Sequence, residues 1–361
     1  MSRYTIRPFQ AGDLDQYLSL YNAVFGTRPD ETWFQWKYLD NPYIDHVPIY
    51  VAETDGDIVG ARSFFALPLR TTQETVLALQ PCDTMVHEAH RRQGLFTRMT
   101  AVAIEGYRDG APELFFNYPN SKTRAGNRKL GWQVVQEKEL FYRLQHPAVI
   151  AQSAGDRSVA NLASSVVSPV VKGYVTARDA LANETRLEGT IERHERVPTE
   201  RLASFYSTAV PDAFHVVRDE RFLQWRFRNP EWEYTTYIAI VGGADVAAIV
   251  TGSQQTGGIT KTTIIDVLSR SDTAAAVCDG LLSAVLEYNQ ETDLIVAMGE
   301  SIARETLLKR GFLPDSKPPL SPVTETTTLM VRSLSDDGIL DGNAITEAEN
   351  WQTTFLSHDT D

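Results

Sequence analysis

The chain alternates between stretches with the hydrophobic spacing of helices and stretches with the spacing of strands. Apolar side chains recur every three or four positions from Leu14 to Phe25 and from Leu95 to Tyr107, which predicts two amphipathic helices. A polar helix is expected just before Leu130. Short apolar and β-branched runs predict strands at residues 5–8, 49–53, 58–65, 75–86, 114–117 and 137–144. This order predicts an α+β domain whose mixed, mostly antiparallel sheet is flanked by helices.

The same pattern occurs twice along the chain. The aromatic stretch at residues 33–42 reappears at residues 222–230, where it is one residue shorter. Blocks before and after it also match in order, and their offset changes only from 189 to 180 residues. Conserved order and spacing over several blocks predict a tandem duplication of one domain. Because Trp33, Trp36 and Trp225 belong to the repeated stretch, we expect them in the core rather than in a ligand slot.

The repeat divides the chain into four parts. We expect a first domain at residues 1–146, a connector at 147–184, a second domain at 185–335 and an acidic tail at 336–361. The connector is rich in Ala, Ser and Val, which fits a helical linker or an insertion packed at the interface. Chain ends are poorly ordered unless they are tied down, so we expect the tail to be mobile.

Composition narrows the class of protein. A chain of 361 residues with 42% hydrophobic residues can build two or three cores. Two cysteines, Cys82 and Cys278, are too few for a disulfide framework or a Cys-based zinc site, so a reducing compartment is expected. Without a signal peptide or a run of about 18 apolar residues, the expectation is a cytoplasmic protein with no membrane partner. The net charge of −13 argues against a nucleic-acid partner.

One segment carries the features of an anion site. Residues 83–96 join a predicted strand directly to the start of a predicted helix, where unpaired N–H groups and the helix dipole attract anions. Gly94 allows close approach of a ligand to the backbone, and Arg91 and Arg92 add positive charge to an acidic chain. The segment is a candidate pyrophosphate site. A solvated helix cap with a charged tip is the alternative.

This segment resembles the acetyl-CoA signature of the GNAT superfamily of N-acetyltransferases, V-x-P-x-Y-R-G-x-G-(I/L), whose core is (Q/R)-x-x-G-x-(G/A). Arg91, Gly94 and Leu95 match it, and Lys129 to Trp132 match the closing L-G-F/W motif. Three positions of the signature differ, since its Pro, Tyr and last small residue are replaced by Glu88, His90 and Phe96. The tandem arrangement is similar to that of the enhanced-intracellular-survival-type acetyltransferases.

The resemblance implies two tandem GNAT-like domains and acetyl-CoA as co-substrate, with no metal. Pantetheine would bond to the strand at 86–88, the pyrophosphate would bind the amides of 91–96, and the thioester would lie between this strand and residues 114–117. A primary amine of a small molecule would attack the thioester directly. The CoA-binding residues implied are Val86, His87, Glu88, Arg91, Arg92, Gln93, Gly94, Leu95, Phe96 and Asn120.

The second copy lacks the features of the anion site. Its counterpart, residues 266–274, has no glycine and contains the acids Asp266 and Asp272. Because carboxylates there would repel a pyrophosphate, we expect one CoA per chain, bound by the first copy alone. The second copy would then form a wall of the acceptor pocket, a surface for a homo-oligomer, or both.

Candidate catalytic residues come from the same segment and the following strand. Many family members protonate the leaving thiolate with a Tyr at the position that is Asn127 here. Tyr118 is the candidate substitute, and Asp83 is the candidate base, because an alkylamine with a pKa of about 10 must lose a proton to attack. His87 and His90 have no third ligand nearby in sequence, so no metal site is predicted.

Three functions are compatible with these observations. The first is an acyl-CoA-dependent N-acyltransferase acting on a small amine. The second is an aminoacyl or peptidyl transferase that takes its donor from charged tRNA, which the acidic composition disfavours. The third is a non-catalytic acyl-CoA sensor or scaffold, which the absence of the usual Tyr and the altered second copy keep open.

Overall fold

Two mixed sheets with helices packed on them form the part of the chain that a computed structural model describes. The described residues are 3–27, 29–152, 189–270, 273–335 and 338–359, with Gly173 and Arg178 in addition. Most of the connector predicted at 147–184 lies outside these residues. None of the helices within these ranges is both long enough and apolar enough to cross a membrane.

The first copy contains the helices and strands that its hydrophobic pattern predicts, except that two strands replace the one expected at 137–144. Its strands are β1 (Thr5–Pro8), β2 (Ile49–Thr54), β3 (Asp57–Arg70), β4 (Thr75–Val86), β5 (Pro112–Asn117), β6 (Gln133–Lys138) and β7 (Leu140–Leu144). Its helices are α1 (Leu14–Phe25), α2 (Glu31–Phe34), α3 (Leu95–Tyr107), α4 (Ser121–Lys129) and α5 (Pro147–Gln152). A π-helical turn at Gln35–Leu39 extends α2, and 3₁₀ turns lie at Ala11–Asp13 and Glu88–His90. Tyr17 and Leu18 of the predicted apolar face of α1 are buried, as are Met99 and Tyr107 of α3, whereas Val102 of α3 is exposed.

The second copy repeats this order of elements. Its strands are β8 (Thr190–His194), β9 (His215–Val216), β10 (Glu233–Val241), β11 (Ala244–Thr256), β12 (Ile259–Ser269), β13 (Leu294–Met298), β14 (Leu313–Pro314) and β15 (Thr327–Ser333). Its helices are α6 (Thr199–Thr208), α7 (Glu220–Arg226), α8 (Ala275–Tyr288) and α9 (Arg304–Lys309). A small hairpin of β16 (Ile339–Leu340) and β17 (Asn343–Ala344) follows, with 3₁₀ turns at Ala348–Asn350 and Phe355–Ser357.

Each sheet contains strands from both copies, because β9 and β15 of the second copy join the first sheet and β7 of the first copy joins the second. The first sheet has the order β1-β2-β3-β4-β5-β15-β6, with β9 beside β3, and the second has the order β14-β7-β13-β12-β11-β10-β8. All neighbouring pairs are antiparallel except β4 with β5 and β12 with β13. The mixed, mostly antiparallel α+β class is thereby confirmed. Since β7 and β15 are exchanged, the two copies cannot separate without breaking sheet hydrogen bonds.

This exchange differs from the boundaries expected at residues 146 and 185. The single strand predicted at 137–144 is two strands that diverge at Glu139. β6 pairs with β15 in the first sheet, and β7 pairs with β13 in the second. The backbone of Glu139 accepts a hydrogen bond from the Gly299 amide, 2.9 Å away, at this crossing point. One stretch of chain, residues 133–144, therefore contributes a strand to each of the two sheets.

The tail expected to be mobile packs against both copies over its described residues 338–359. Trp351 and Leu356 are buried in a core shared by the two copies. The backbone of Phe214 bonds to that of Asn350 and Gln352 on either side of Trp351. Further along, the Gln80 side chain of β4 donates to the carbonyl of Ser357, 2.7 Å away. The acidic composition of the tail gave no indication of these buried apolar residues. Their burial and the backbone hydrogen bonds hold the tail in place.

Candidate active site

The centre of the candidate site is the place where β4 separates from β5. The two strands pair in parallel only from Leu77 with Pro112 to Leu79 with Phe115, and beyond these residues they diverge. On its other side β4 stays paired with β3 as far as Val86, with a bulge that contains Asp83. Asp83 has a φ of 38°. Bulges of this kind redirect side chains. The region beyond Leu79 and Phe115, where β4 and β5 are no longer paired, is called the splay below.

The loop after β4 leads to the N-terminus of α3 as the sequence predicts. Gly94 has a φ of 73° and precedes the first helical residue, Leu95. No acidic residue lies in the first turn of α3, and the loop residues Arg91 to Gly94 are exposed. The residues of the predicted CoA set from Val86 to Phe96 therefore lie together at the positive end of a 13-residue helix.

Side chains of this loop hold its shape. Arg91 Nε donates to the carbonyl oxygen of Val86 across 3.1 Å, so this guanidinium folds back on β4. The ring of His90 bonds through Nδ1 to the hydroxyl of Tyr4, 3.1 Å away. Asn120, the remaining residue of the set, caps α4 by accepting from the amide of Thr123, and its side chain is engaged there.

The Asp83 carboxylate is held in a buried ion pair. Lys37 Nζ lies 2.8 Å from Asp83 Oδ2, and their side chains are only 1% and 4% exposed. The hydroxyl of Tyr38 also donates to Asp83. Burial is the largest single influence and lowers the pKa of Lys37, but the neighbouring acidic groups, Asp83 first among them, together outweigh it and hold that pKa well above its usual value. Asp83 is thus accompanied by a cation that the sequence did not single out.

Tyr118 is engaged with the tail. Its hydroxyl lies 3.0 Å from Ser357 Oγ, and its ring stacks on the ring of His358 with 3.8 Å between ring centroids. Burial raises the pKa of Tyr118 to about 12, which keeps the phenol protonated at neutral pH. The next residue, Asp359, places Oδ2 3.9 Å from Lys37 Nζ. Two consecutive tail residues therefore contact the surroundings of both candidate catalytic residues.

Asn127, at the position where many family members have Tyr, is buried beside the end of β5. Its Nδ2 lies 3.4 Å from Oδ1 of Asn117, the last residue of β5. Its Oδ1 has no hydrogen-bond partner among the described residues and is thus an acceptor available to a ligand. Buried orphaned acceptors are costly, so this atom favours a bound donor group in the splay.

The second copy differs from the first, although not entirely for the predicted reason. Asp266 was expected at the anion site, but it lies within β12 and forms a buried ion pair with Arg218, 2.8 Å away, and with the hydroxyl of Thr354. It therefore cannot repel a pyrophosphate at the helix end. Asp272 lies outside the described residues. Five residues join β12 to α8, compared with eight between β4 and α3, and α8 begins after Ala274 with no glycine.

Comparison with known proteins agrees with this geometry. Residues 5–135 match the family model of the acetyltransferase (GNAT) domain. No curated protein sequence matches the chain significantly.

Solved structures match the chain through both copies. A GCN5-related N-acetyltransferase from Anabaena variabilis is 10% identical, with a TM-score of 0.60, over 92% of this chain and 73% of that chain. Eis1 from Mycobacterium abscessus is 12% identical, with a TM-score of 0.52, over 92% and 73%. A GCN5-related N-acetyltransferase from Kribbella flavida is 12% identical, with a TM-score of 0.53, over 91% and 71%. At such low identity these likenesses establish the fold.

Proposed function

Residues 5–135 match the family model of the acetyltransferase (GNAT) domain, and from this premise we propose that the protein transfers the acyl group of an acyl-CoA to a primary amine of a small molecule. Acetyl-CoA is the donor that the family match favours. The proposal rests chiefly on one observation: the Gly94 loop places the N-terminus of α3 after the part of β4 that is no longer paired with β5.

Within this proposal, one CoA binds per chain, in the first copy. The amides at the start of α3 hold the pyrophosphate, with Arg92 beside them. The pantetheine arm follows β4 from Val86 towards the bulge, and the acyl group lies in the splay. Asn127 Oδ1 offers an acceptor to a donor group there. The second copy, with a shorter loop and no glycine before α8, is left without this site.

The reaction requires a neutral amine and a proton for the leaving thiolate. The amine nitrogen attacks the thioester carbon, so that the C–N bond forms and the C–S bond breaks. Nitrogen releases one proton and the sulfur of CoA gains one, so CoA leaves as the free thiol. Asp83 is the proposed proton acceptor and Tyr118 the proposed donor. Because Lys37 neutralises Asp83, proton transfer to Asp83 requires this ion pair to loosen when the amine binds.

The test is amine-dependent release of free thiol from acetyl-CoA. Full-length protein is assayed against a panel of primary amines, with Asp83→Asn and Tyr118→Phe alongside. We expect turnover with at least one amine and a loss of about 10²–10⁴-fold for a variant that removes a proton-transfer group. If both variants keep full turnover, the catalytic assignment is wrong while the reaction stands. If acetyl-CoA binds but no amine supports thiol release, the proposal is replaced by the acyl-CoA scaffold.

A further inference from the structure

A buried arginine lies beside the β4 bulge without a counter-charge. Arg62 is on β3, and its side chain crosses under β4, where Nη1 donates to the hydroxyl of Thr84. The residue is 2% exposed. Its Nε and Nη2 have no hydrogen-bond partner among the described residues, and no carboxylate there forms an ion pair with it. Burial lowers the pKa of this guanidinium to about 10, so it stays charged at neutral pH.

The position of Arg62 relates it to the donor rather than to the acceptor. Thr84 follows Asp83 in the bulge, beyond the last residue at which β4 pairs with β5. The ring of Phe96, on the first turn of α3, lies 5.0 Å from the Arg62 guanidinium. The same ring contacts Gly126 of α4 so closely that an added Cβ would lie 2.7 Å from it. Arg62 therefore lies between β4, α3 and α4.

Two other arginines of this protein show what the free edge of Arg62 can bind. Arg218 uses Nε and Nη2 together to hold both oxygens of Asp266, each across 2.8 Å. Arg201 holds Asp245 in the same way, each bond being 2.7 Å. Nε and Nη2 are the atoms that remain free in Arg62. This edge presents two parallel N–H groups that match a carboxylate.

A neutral acetyl group leaves this cation without a counter-charge. Burying an unpaired charge is costly, and a carbonyl oxygen compensates only part of that cost. A carboxylate at the far end of the acyl chain supplies both the charge and the two acceptors. The pantetheine arm runs from the start of α3 towards the bulge in the proposed function, so its acyl end, not its phosphate end, reaches Thr84 and Arg62.

We propose that Arg62 binds a carboxylate at the end of the donor's acyl chain, so that the donors are short dicarboxylic acyl-CoA thioesters of the malonyl or succinyl type. The inference rests on the proposed function and keeps its chemistry. The amine attacks the thioester carbon, the C–S bond breaks, CoA leaves as the free thiol, and the amide product retains the terminal carboxylate.

The test is calorimetric binding of CoA, acetyl-CoA, malonyl-CoA and succinyl-CoA to the full chain. For the wild type we expect malonyl-CoA or succinyl-CoA to bind at least tenfold more tightly than acetyl-CoA. Arg62→Met, which replaces the cation by an apolar chain of similar length, should remove this preference and leave CoA and acetyl-CoA affinities within about twofold. Arg62→Lys keeps the charge without the two-pronged edge and should retain part of the preference.

Several results would overturn the inference. Equal affinity of the wild type for all three thioesters, or a preference that persists in Arg62→Met, shows that Arg62 does not bind the acyl chain. If Arg62→Met lowers the affinity for all four ligands equally, Arg62 binds the pantetheine or phosphate part of CoA instead. If no ligand binds the wild type, the proposed function fails as well. Chemical unfolding of Arg62→Met shows whether the variant is folded. It should be at least as stable as the wild type, because no ion pair is lost.

Discussion

The indole of Trp36 donates to the backbone carbonyl of Trp225, and the indole of Trp225 donates to the carbonyl of Trp36, with 2.9 Å between nitrogen and oxygen in each case. The two rings stack with 6.0 Å between centroids and 21° between planes. The two residues occupy the same position in the repeated sequence stretch. This reciprocal pair therefore joins the copies in a two-fold manner, and it confirms that the repeated tryptophans belong to the core.

The reciprocal pair should contribute to the stability of the whole chain. Trp36→Phe leaves the Trp225 carbonyl without its donor and should lower the free energy of unfolding by about 1–3 kcal/mol. Urea unfolding at pH 7 measures this change. Trp132→Phe is the matched control, because Trp132 is also buried but its Nε1 has no partner among the described residues. An equal loss in both variants would argue against a role for the hydrogen bond, and a two-step transition would argue against one shared core.

The Lys37–Asp83 ion pair should be required for stability before it is required for chemistry. Lys37→Met leaves Asp83 as an unpaired buried carboxylate and should cost about 3–5 kcal/mol. The double variant Lys37→Met with Asp83→Asn removes both charges and should recover most of this loss. Chemical unfolding of the two variants and the wild type provides the comparison. A single variant as stable as the wild type would mean that the carboxylate is solvated or protonated.

A pH dependence of stability follows from His215, a buried residue of the second copy. Its Nδ1 lies 2.6 Å from the carbonyl of Ala213 and must donate to it, so Nε2 accepts from the hydroxyl of Tyr206. Burial and the charge of Arg218 lower the pKa of His215 to about 4. The unfolded chain therefore takes up a proton near pH 6.5, before the folded chain does. The stabilisation is complete above that pH and is lost as the pH falls towards 4.

The size of this effect can be measured against a variant that does not titrate. Between pH 7 and pH 5 the wild type should lose about 2 kcal/mol more stability than His215→Gln. Burial likewise lowers the pKa of His358, to about 3, but that group is present in both proteins and cancels in the difference. Urea unfolding at pH 7, 6 and 5 provides the data. Parallel curves for the two proteins would show that His215 is accessible to protons in the folded state.

The sequence predicted the features that depend on local pattern. The helices Leu14–Phe25 and Leu95–Tyr107 follow from the 3.6-residue period, and the Gly94 loop follows from a strand directly preceding a helix. The sequence also predicted the duplication, because repeats keep their spacing whatever the packing. These features require no knowledge of which strand neighbours which.

The exchange of β7 and β15 and the course of the tail could not be predicted in this way. Each depends on contacts between residues far apart in the chain, such as Tyr118 with His358 or Lys37 with Asp359. The sequence pattern of a strand is the same whichever sheet the strand joins. The acidic composition of the tail gave no indication that Trp351 is buried. The burial of Arg62 was also not predicted, because the sequence around a single arginine on a strand does not show whether its side chain is buried.

The measurement that tests the central claim most directly is the binding of acetyl-CoA to the wild type, Gly94→Glu and Gly56→Glu. Both glycines have a positive φ and open space around them, so both variants carry the same charge and backbone strain, but Gly56 lies in the β2–β3 turn. At about 100 times its dissociation constant, the ligand should stabilise the wild type and Gly56→Glu by roughly 2.7 kcal/mol, a rise of a few degrees in Tm. Gly94→Glu should show no rise. Equal stabilisation of all three proteins, or of none, would contradict a CoA site at the N-terminus of α3.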